Sequence, residues 1–235
     1  MRAFVLLVKG TVNINKRAGR WAILAAMLIG VLLVLGGYIL GAIPTGLLVG
    51  WAYGVDVRRV GSGNIGTANV MRAAGKWAAM LTMLGDMLKG LVPVVVARSL
   101  IEDEWIIAAV ALAAIAGHCW SVFLGFEGGK GVATGAGTSI GLAPVVGLGL
   151  FAFWWVVVLI SRYTSLGAIS VMVLSPVAFV LSGQPWPYVA YAVVGGVLVL
   201  WRHRENARAL LRGTERKIGE KAVKEKAMKE DTRAG

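Results

Sequence analysis

Residues 21–50 read WAILAAMLIGVLLVLGGYILGAIPTGLLVG, a stretch without a single charged side chain. About 20 apolar residues suffice for a helix to cross the hydrocarbon core of a bilayer, so this run spans with residues to spare. Working outward, the pattern repeats. Apolar runs cover 77–101 (interrupted by Asp86, Lys89 and Arg98), 105–124, 132–142, 145–160, 166–181 and 188–201. Their separators are the acidic turn Glu102-Asp103-Glu104, a glycine-rich stretch at 125–131, Ala143-Pro144, Arg162-Tyr163-Thr164-Ser165, and a proline- and glycine-bearing turn from Ser182 to Pro187. The run 132–142 is short for a full crossing. Counting it gives seven helices, and the expected fold is an all-α integral membrane protein with seven transmembrane helices.

Composition agrees. The chain is 57% hydrophobic and 15% charged, where a soluble domain has about 45–50% and about 25%. The net charge of +12 raises nucleic acid as a partner, but its placement argues against that. Only eight of the 24 Lys/Arg lie between Trp21 and Trp201, while eleven lie in residues 202–235. No basic face is interleaved with aromatics, and the nine tryptophans sit mostly in or beside apolar runs, as interfacial anchors do. The charge reads as cytoplasmic loops attracted to anionic membrane lipid, with no nucleic acid. One cysteine, Cys119, and two distant histidines, His118 and His203, offer no metal-ligand spacing. No metal and no cofactor are expected.

Loops bearing Arg58, Arg59, Arg72 and Lys76, then Lys130, then Arg162, then the basic tail alternate with loops that are neutral or acidic. The Lys/Arg bias puts the first set in the cytoplasm, giving an outside N-terminus and a cytoplasmic C-terminus. Every glycine-rich motif, Ser165 and His203 then share one side. Residues 1–20 disagree, being placed outside while carrying Arg2, Lys9, Lys16, Arg17 and Arg20. The expected organisation is therefore an N-terminal extension at 1–26, untranslated (a start at Met27) or disordered, a membrane domain at 27–203, and a basic cytoplasmic tail at 204–235.

Charges at membrane depth mark function by default, and here they gather beside glycines. Gly61-Ser62-Gly63-Asn64-Ile65-Gly66 fits the dinucleotide fingerprint letter for letter, but no strand precedes it and no parallel sheet surrounds it. The physics of the pattern still holds, since glycines let backbone N–H groups approach an anion and a following helix start adds positive potential. A flexible connector is the competing reading, against which Arg72 stands on the helix face of Ala68 and Asn69. Gly125 to Thr134 invites a P-loop reading and fails it, with Leu124 in place of the first glycine and Gly131 where Ser or Thr must hold magnesium. Lys130 among its glycines remains a phosphate cradle. Asp86 and Lys89, three residues apart on a helix, are expected to form a structural pair. His118 reads as a packed histidine; His203 suits a polar site and a plain interfacial position equally. Neither histidine starts an H-x-x-x-x-D motif.

Taken in order, Ile43-Pro44 with Gly46, Gly61 to Arg72, Asp86-Met87-Leu88-Lys89-Gly90 with Pro93, Gly117-His118, Gly128 to Thr134, Tyr163 to Leu166, His203-Arg204-Glu205-Asn206 and Gly213 to Gly219 resemble the bacterial acyl-phosphate:glycerol-3-phosphate acyltransferase family, usually called PlsY. The resemblance covers about residues 27–219. It implies a seven-helix enzyme of the bacterial inner membrane, its active site facing the cytoplasm. Such an enzyme moves a fatty acyl group from acyl phosphate to the 1-hydroxyl of glycerol 3-phosphate, giving lysophosphatidic acid and phosphate, without a protein partner.

By the same resemblance Ser62, Arg72, Lys130 and His203 are the catalytic candidates. Asn64, Gly66, Thr67, Asn69, Gly128, Gly129, Ser165 and Asn206 are the substrate-binding ones. The family mechanism needs no enzymic nucleophile, because the donor's own phosphate can take the proton of the attacking hydroxyl. Two departures bear on substrate affinity or identity. The family's usual Gly-Ala-Thr-Asn stands here as Gly66-Thr67-Ala68-Asn69, and its common lysine is replaced by Glu127. A catalytically impaired homologue and a membrane anion transporter are the alternatives, and an acyl-transfer assay separates them.

Overall fold

The computed structural model describes residues 16–219, with side chains from Trp21 onward. Among the described residues the regular structure is helical, apart from a lone antiparallel bridge between Ser121 and Glu127. The α-helices are α1 (Lys16–Ala42), α2 (Thr45–Ala52), α3 (Thr67–Leu100), α4 (Glu104–Cys119), α5 (Val132–Leu142), α6 (Pro144–Ser161), α7 (Thr164–Leu181), α8 (Trp186–Arg202) and α9 (Arg204–Leu211). Short 3-10 turns occupy Val57–Arg59 and Val122–Leu124. Four segments are long and apolar enough to cross a membrane by length and composition: Trp21–Ala52, Thr67–Leu100, Pro144–Ser161 and Thr164–Leu181.

Leu24, Val31, Leu35, Leu88, Val95, Val156, Val173 and Val197 face outward uncovered. So large an exposed apolar surface belongs against lipid. Trp21, Trp105, Trp186 and Trp201, at or near helix ends, and Trp77, where the apolar part of α3 begins, are exposed as well, as interfacial tryptophans are. Inside, Val110, Ala111 and Ile115 of α4 pack with Val94, Leu142, Leu150, Phe179 and Tyr191 as the main core. A smaller core of Leu47, Val57, Ile65, Val70 and Ala78 pins the 53–66 loop beneath α2 and α3. α3 and α5 approach closely because Gly90 lies against Thr134 and Gly137 against the Met87 carbonyl, the small-residue packing usual between membrane helices.

Three boundaries differ from the sequence reading. The first apolar run breaks at Ile43-Pro44, since proline lacks the N–H that would continue the helix. Broken backbone in an apolar surrounding needs partners, and it has them. Lys89 Nζ donates to the Ile43 carbonyl at 2.7 Å, Ser121 Oγ donates to the Ala42 carbonyl at 2.5 Å, and Thr45, at the start of α2, donates to Asp86 Oδ1. Second, α3 starts ten residues before the apolar run, at Thr67, and contains a kink. Gly75 has φ 88° and ψ −179°, a backbone state that side chains with a Cβ rarely adopt. Third, α1 is already helical at Lys16, so residues 16–26 of the anticipated extension continue into the first span; residues 1–15 lie outside the described part.

The boundary after residue 203 is not a break in packing either. α9 follows at once, and residues 212–219 turn back until the Ile218 N–H donates to the Arg162 carbonyl at 2.7 Å. Residues 220–235 of the tail lie outside the described residues.

Candidate active site

The 56–66 loop is tied down before it meets anything else. Asp56 caps the 3-10 turn and pairs with Arg58 at 2.8 Å; that hydrogen bond holds its carboxyl at about 2. Asn69, buried in the first turn of α3, accepts from the Ser62 N–H at 3.0 Å and donates to the Val57 and Val60 carbonyls at 2.8 and 3.0 Å. Asn64 Oδ1 accepts from the Gly66 N–H at 2.8 Å, turning the chain into the helix. Ser62 is thereby left exposed at the loop tip, and Arg72 projects one turn further along α3.

The second loop, 125–131, is braced from below. The Gly129 N–H donates to the His118 carbonyl at 3.0 Å, and the Arg202 guanidinium donates to the carbonyls of Gly128 (2.9 Å) and Gly129 (2.9 and 3.1 Å). The loop delivers Lys130, whose Nζ donates to Asn206 Oδ1 at 2.5 Å. From the tail, Glu215 Oε1 accepts from Asn206 Nδ2 at 2.8 Å and from Ser165 Oγ at 2.7 Å. Lys130, Asn206, Glu215 and Ser165 thus form one hydrogen-bonded chain drawn from four segments.

These groups open on a cavity of about 800 Å³. Ser62, Asn64, Arg72, Lys130, His203 and Glu215 line its polar end, and Ile115, Leu150, Phe151, Val171, Met172 and Gly195 its apolar one. Burial lowers the pKa of Lys130; the Glu215 carboxylate opposes that shift, while Arg202 and Arg72 add to it. The Arg72 and Lys130 cations are therefore within electrostatic reach of each other. His203 is held down to about 4, chiefly by burial, with help from Lys130 and Arg202 and against its bond to Val199. Its Nδ1 lies 2.8 Å from the Val199 carbonyl. A carbonyl only accepts, so Nδ1 carries the proton, and the neutral ring turns Nε2 into an acceptor.

Of the anticipated site residues, Ser62, Asn64, Gly66, Thr67, Asn69, Arg72, Lys130, Ser165, His203 and Asn206 all reach this cavity. Gly128 and Gly129 do not line it, contrary to the sequence expectation. The Gly129 N–H and both carbonyls are already engaged, and a Cβ at either position would strike His118; these glycines serve a close approach to the end of α4. Asn69 touches the cavity, but its amide is committed to the loop. Asp86 and Lys89 pair at 2.9 Å, both buried, with His118 Nδ1 at 3.5 Å from the same carboxylate oxygen; Asp86 and His118 also border the cavity, and Lys89 does not.

Sequence reasoning missed Glu215 and Arg202. The first stood inside a recognised motif, Gly213 to Gly219, and the second stands next to His203. Thr67 and Ala68, the displaced pair, both line the cavity, whereas Glu127 is exposed and away from it. Among the described residues no three His, Cys, Asp or Glu side chains converge as a metal site.

A cavity lined by Arg72 and Lys130 together with many apolar side chains suits an anion carrying a hydrocarbon tail. Comparison with known proteins gives the same picture. A family profile described as Glycerol-3-phosphate acyltransferase matches residues 31–213. A glycerol-3-phosphate acyltransferase of Rubrobacter xylanophilus is 77% identical over 80% of this chain and 95% of that protein. One from Thermus thermophilus is 46% identical over 79% and 93%. Among solved structures, PlsY (YgiH), an integral membrane glycerol 3-phosphate acyltransferase in its glycerol 3-phosphate form, superposes with a TM-score of 0.77 at 40% identity, covering 81% of this chain and 96% of that one. Its lysophosphatidic acid form gives 0.76 at 38% identity, covering 81% and 95%.

Proposed function

The chain belongs to the glycerol-3-phosphate acyltransferase family, and from that premise we propose that it transfers a fatty acyl group from acyl phosphate to the 1-hydroxyl of sn-glycerol 3-phosphate. The products are lysophosphatidic acid and inorganic phosphate, and the step belongs to phospholipid biosynthesis. The observation that carries this reading is the meeting of Arg72 and Lys130 on one cavity that continues into an apolar chamber. Both substrates are phosphorylated, and one is greasy.

The hydroxyl oxygen attacks the acyl carbon, the acyl carbon–oxygen bond to phosphate breaks, and the departing phosphate takes the hydroxyl proton. An already activated donor leaves the protein to supply proximity and charge stabilisation. Arg72 and Lys130 hold phosphate oxygens. Asn206 and Ser165, tied through Glu215, keep the ammonium in place. Neutral His203 offers Nε2 as acceptor to the other hydroxyl of glycerol 3-phosphate, with Ser62 and Asn64 flanking the acyl phosphate. Gly66 and Thr67 put the start of α3 beside it, where the helix end favours an anion.

In the membrane, seven crossings are made by α1 with α2, then α3, α4, α5, α6, α7 and α8, the N-terminus outside and the C-terminus inside. The site faces the cytoplasm of a bacterial inner membrane, in keeping with the Lys/Arg distribution. The membrane domain runs from α1 to residue 203 and is closed by 204–219, and no protein partner is implied. Purified protein given acyl phosphate and radiolabelled glycerol 3-phosphate is expected to form labelled lysophosphatidate well above an Arg72→Ala control. Equal label in the two samples would remove the proposal.

A further inference from the structure

The apolar end of the cavity does not fade into core; it stops on hydroxyl groups. Tyr191 on α8 is buried, and its OH shares a 2.5 Å hydrogen bond with Thr138 Oγ1 and a 3.2 Å one with Ser139 Oγ, both on α5. The same OH donates towards the Gly135 carbonyl at 3.3 Å. Ser175 of α7, also buried, borders the same end of the cavity. Behind this layer the ring of Phe179, fully buried, lies 6.1 Å from that of Tyr191, so a straight chain has nowhere to continue.

The depth of that floor follows from the helices. Gly131 lies against Val199 at the phosphate-loop level, and Thr138 meets Tyr191 at the floor. From Gly131 to Ser139 along α5, and from Val199 to Tyr191 along α8, the rise is about 12 Å; from His203 to Tyr191 it is about 18 Å. An extended hydrocarbon advances roughly 1.25 Å per bond, from a bond of about 1.5 Å at a near-tetrahedral angle.

Building on the acyltransferase reading, we propose that Tyr191 and Ser139, backed by buried Thr138, form a polar floor that sets the acyl-chain length the enzyme prefers, at roughly 10–14 carbons in the extended state. A terminal methyl reaching further would wedge into buried hydrogen bonds and leave hydroxyls unpaired, which is unfavourable. Longer chains must bend out of the cavity. Gly195, also on the cavity wall, lies one helical turn above the floor, and a Cβ there meets only ordinary contacts, 3.5 Å from Ile115 and Leu112 and 3.9 Å from Tyr191.

The test is competition. One enzyme sample receives an equimolar mixture of saturated acyl phosphates from C8 to C18, with labelled glycerol 3-phosphate, and lysophosphatidate species are quantified by mass spectrometry. Ratios within a sample do not depend on how much enzyme is folded. The wild-type distribution is expected to favour chains that end at the floor at least threefold over chains four carbons longer. Gly195→Leu should move the optimum down by about one turn of helix, near four carbons, and the milder Gly195→Ala should move it in the same direction. Tyr191→Phe should raise the share of the longest chains. An identical distribution in wild type and all three variants, with lysophosphatidate still made, overturns the floor and leaves the activity standing. No lysophosphatidate from any chain length overturns the acyltransferase reading, and the floor with it.

Discussion

Two groups of charged side chains lie within this apolar body, and they are built on opposite plans. Around Ile43-Pro44, Asp86 and Lys89 answer each other at 2.9 Å, and their remaining capacity goes to Thr45 and to the Ile43 carbonyl. Around the cavity mouth, the cations Arg72, Lys76, Lys130 and Arg216 share a space with the carboxylates Glu205 and Glu215 and a neutral histidine, while Asp86 of the first group also borders the cavity. The first group closes its own account of charge; the second carries a surplus aimed at a cavity. Charge in a membrane protein is therefore not one signal. Saturation marks the structural cluster, and surplus marks the one that receives an anion.

The largest effect that could break this contrast is on stability. Asp86→Asn strands a buried ammonium, so the protein should lose on the order of 3–5 kcal/mol, read as a fall in apparent melting temperature in detergent. Asp86→Leu combined with Lys89→Met should recover part of that loss; a double variant worse than the single one would contradict the pairing. At the mouth the expectation is reversed. Arg72→Ala or Lys130→Ala should cost about 1.5–3 kcal/mol of substrate interaction, or about 10- to 160-fold in kcat/KM, with the melting temperature nearly unmoved. A large thermal shift in either variant would erase the distinction.

Acidity sharpens it further. Lys130 must be protonated to hold phosphate, and its pKa is lowered by burial, so activity is present below that pKa and falls as pH rises through it, earlier than for a free lysine. Glu215→Gln removes the carboxylate that opposes the shift and should move this alkaline limb to still lower pH; an unmoved limb would dissociate Glu215 from Lys130. His203, held at about 4, stays neutral from pH 5 upward, so no acid limb from it should appear there. Smallest of all, Glu127→Lys should change kcat/KM less than twofold, because Glu127 is exposed away from the cavity. Exchanging Thr67 and Ala68, which do line it, should do more.

Much of this was legible in the residues. Apolar runs, glycines beside cations and the three-residue spacing of Asp86 and Lys89 all carry their meaning locally. What escaped depends on the chain meeting itself. Glu215 looks misplaced beside a phosphate site until it is seen to hold Asn206 and Ser165 in register. Gly128 and Gly129 resemble a cradle in sequence, yet His118 and Arg202 have taken their space and their carbonyls. The start of α3 was set too late because Arg72 and Lys76 interrupt hydropathy, which measures burial in lipid and not helicity. Nothing in the sequence singles out Tyr191, whose partners Thr138 and Ser139 come from another helix.

The bend at Gly75 divides α3, 34 residues in all and about 51 Å if straight, against a hydrocarbon core of about 30 Å. Bilayers of different thickness tilt the helices that cross them. A rigid rod would pass that tilt on to its tip, dragging Arg72 away from Lys130. The bend gives the tip its own direction, and Asn69 ties that tip to the 57–62 loop, so the bearing of Arg72 is set by the loop as much as by the shaft.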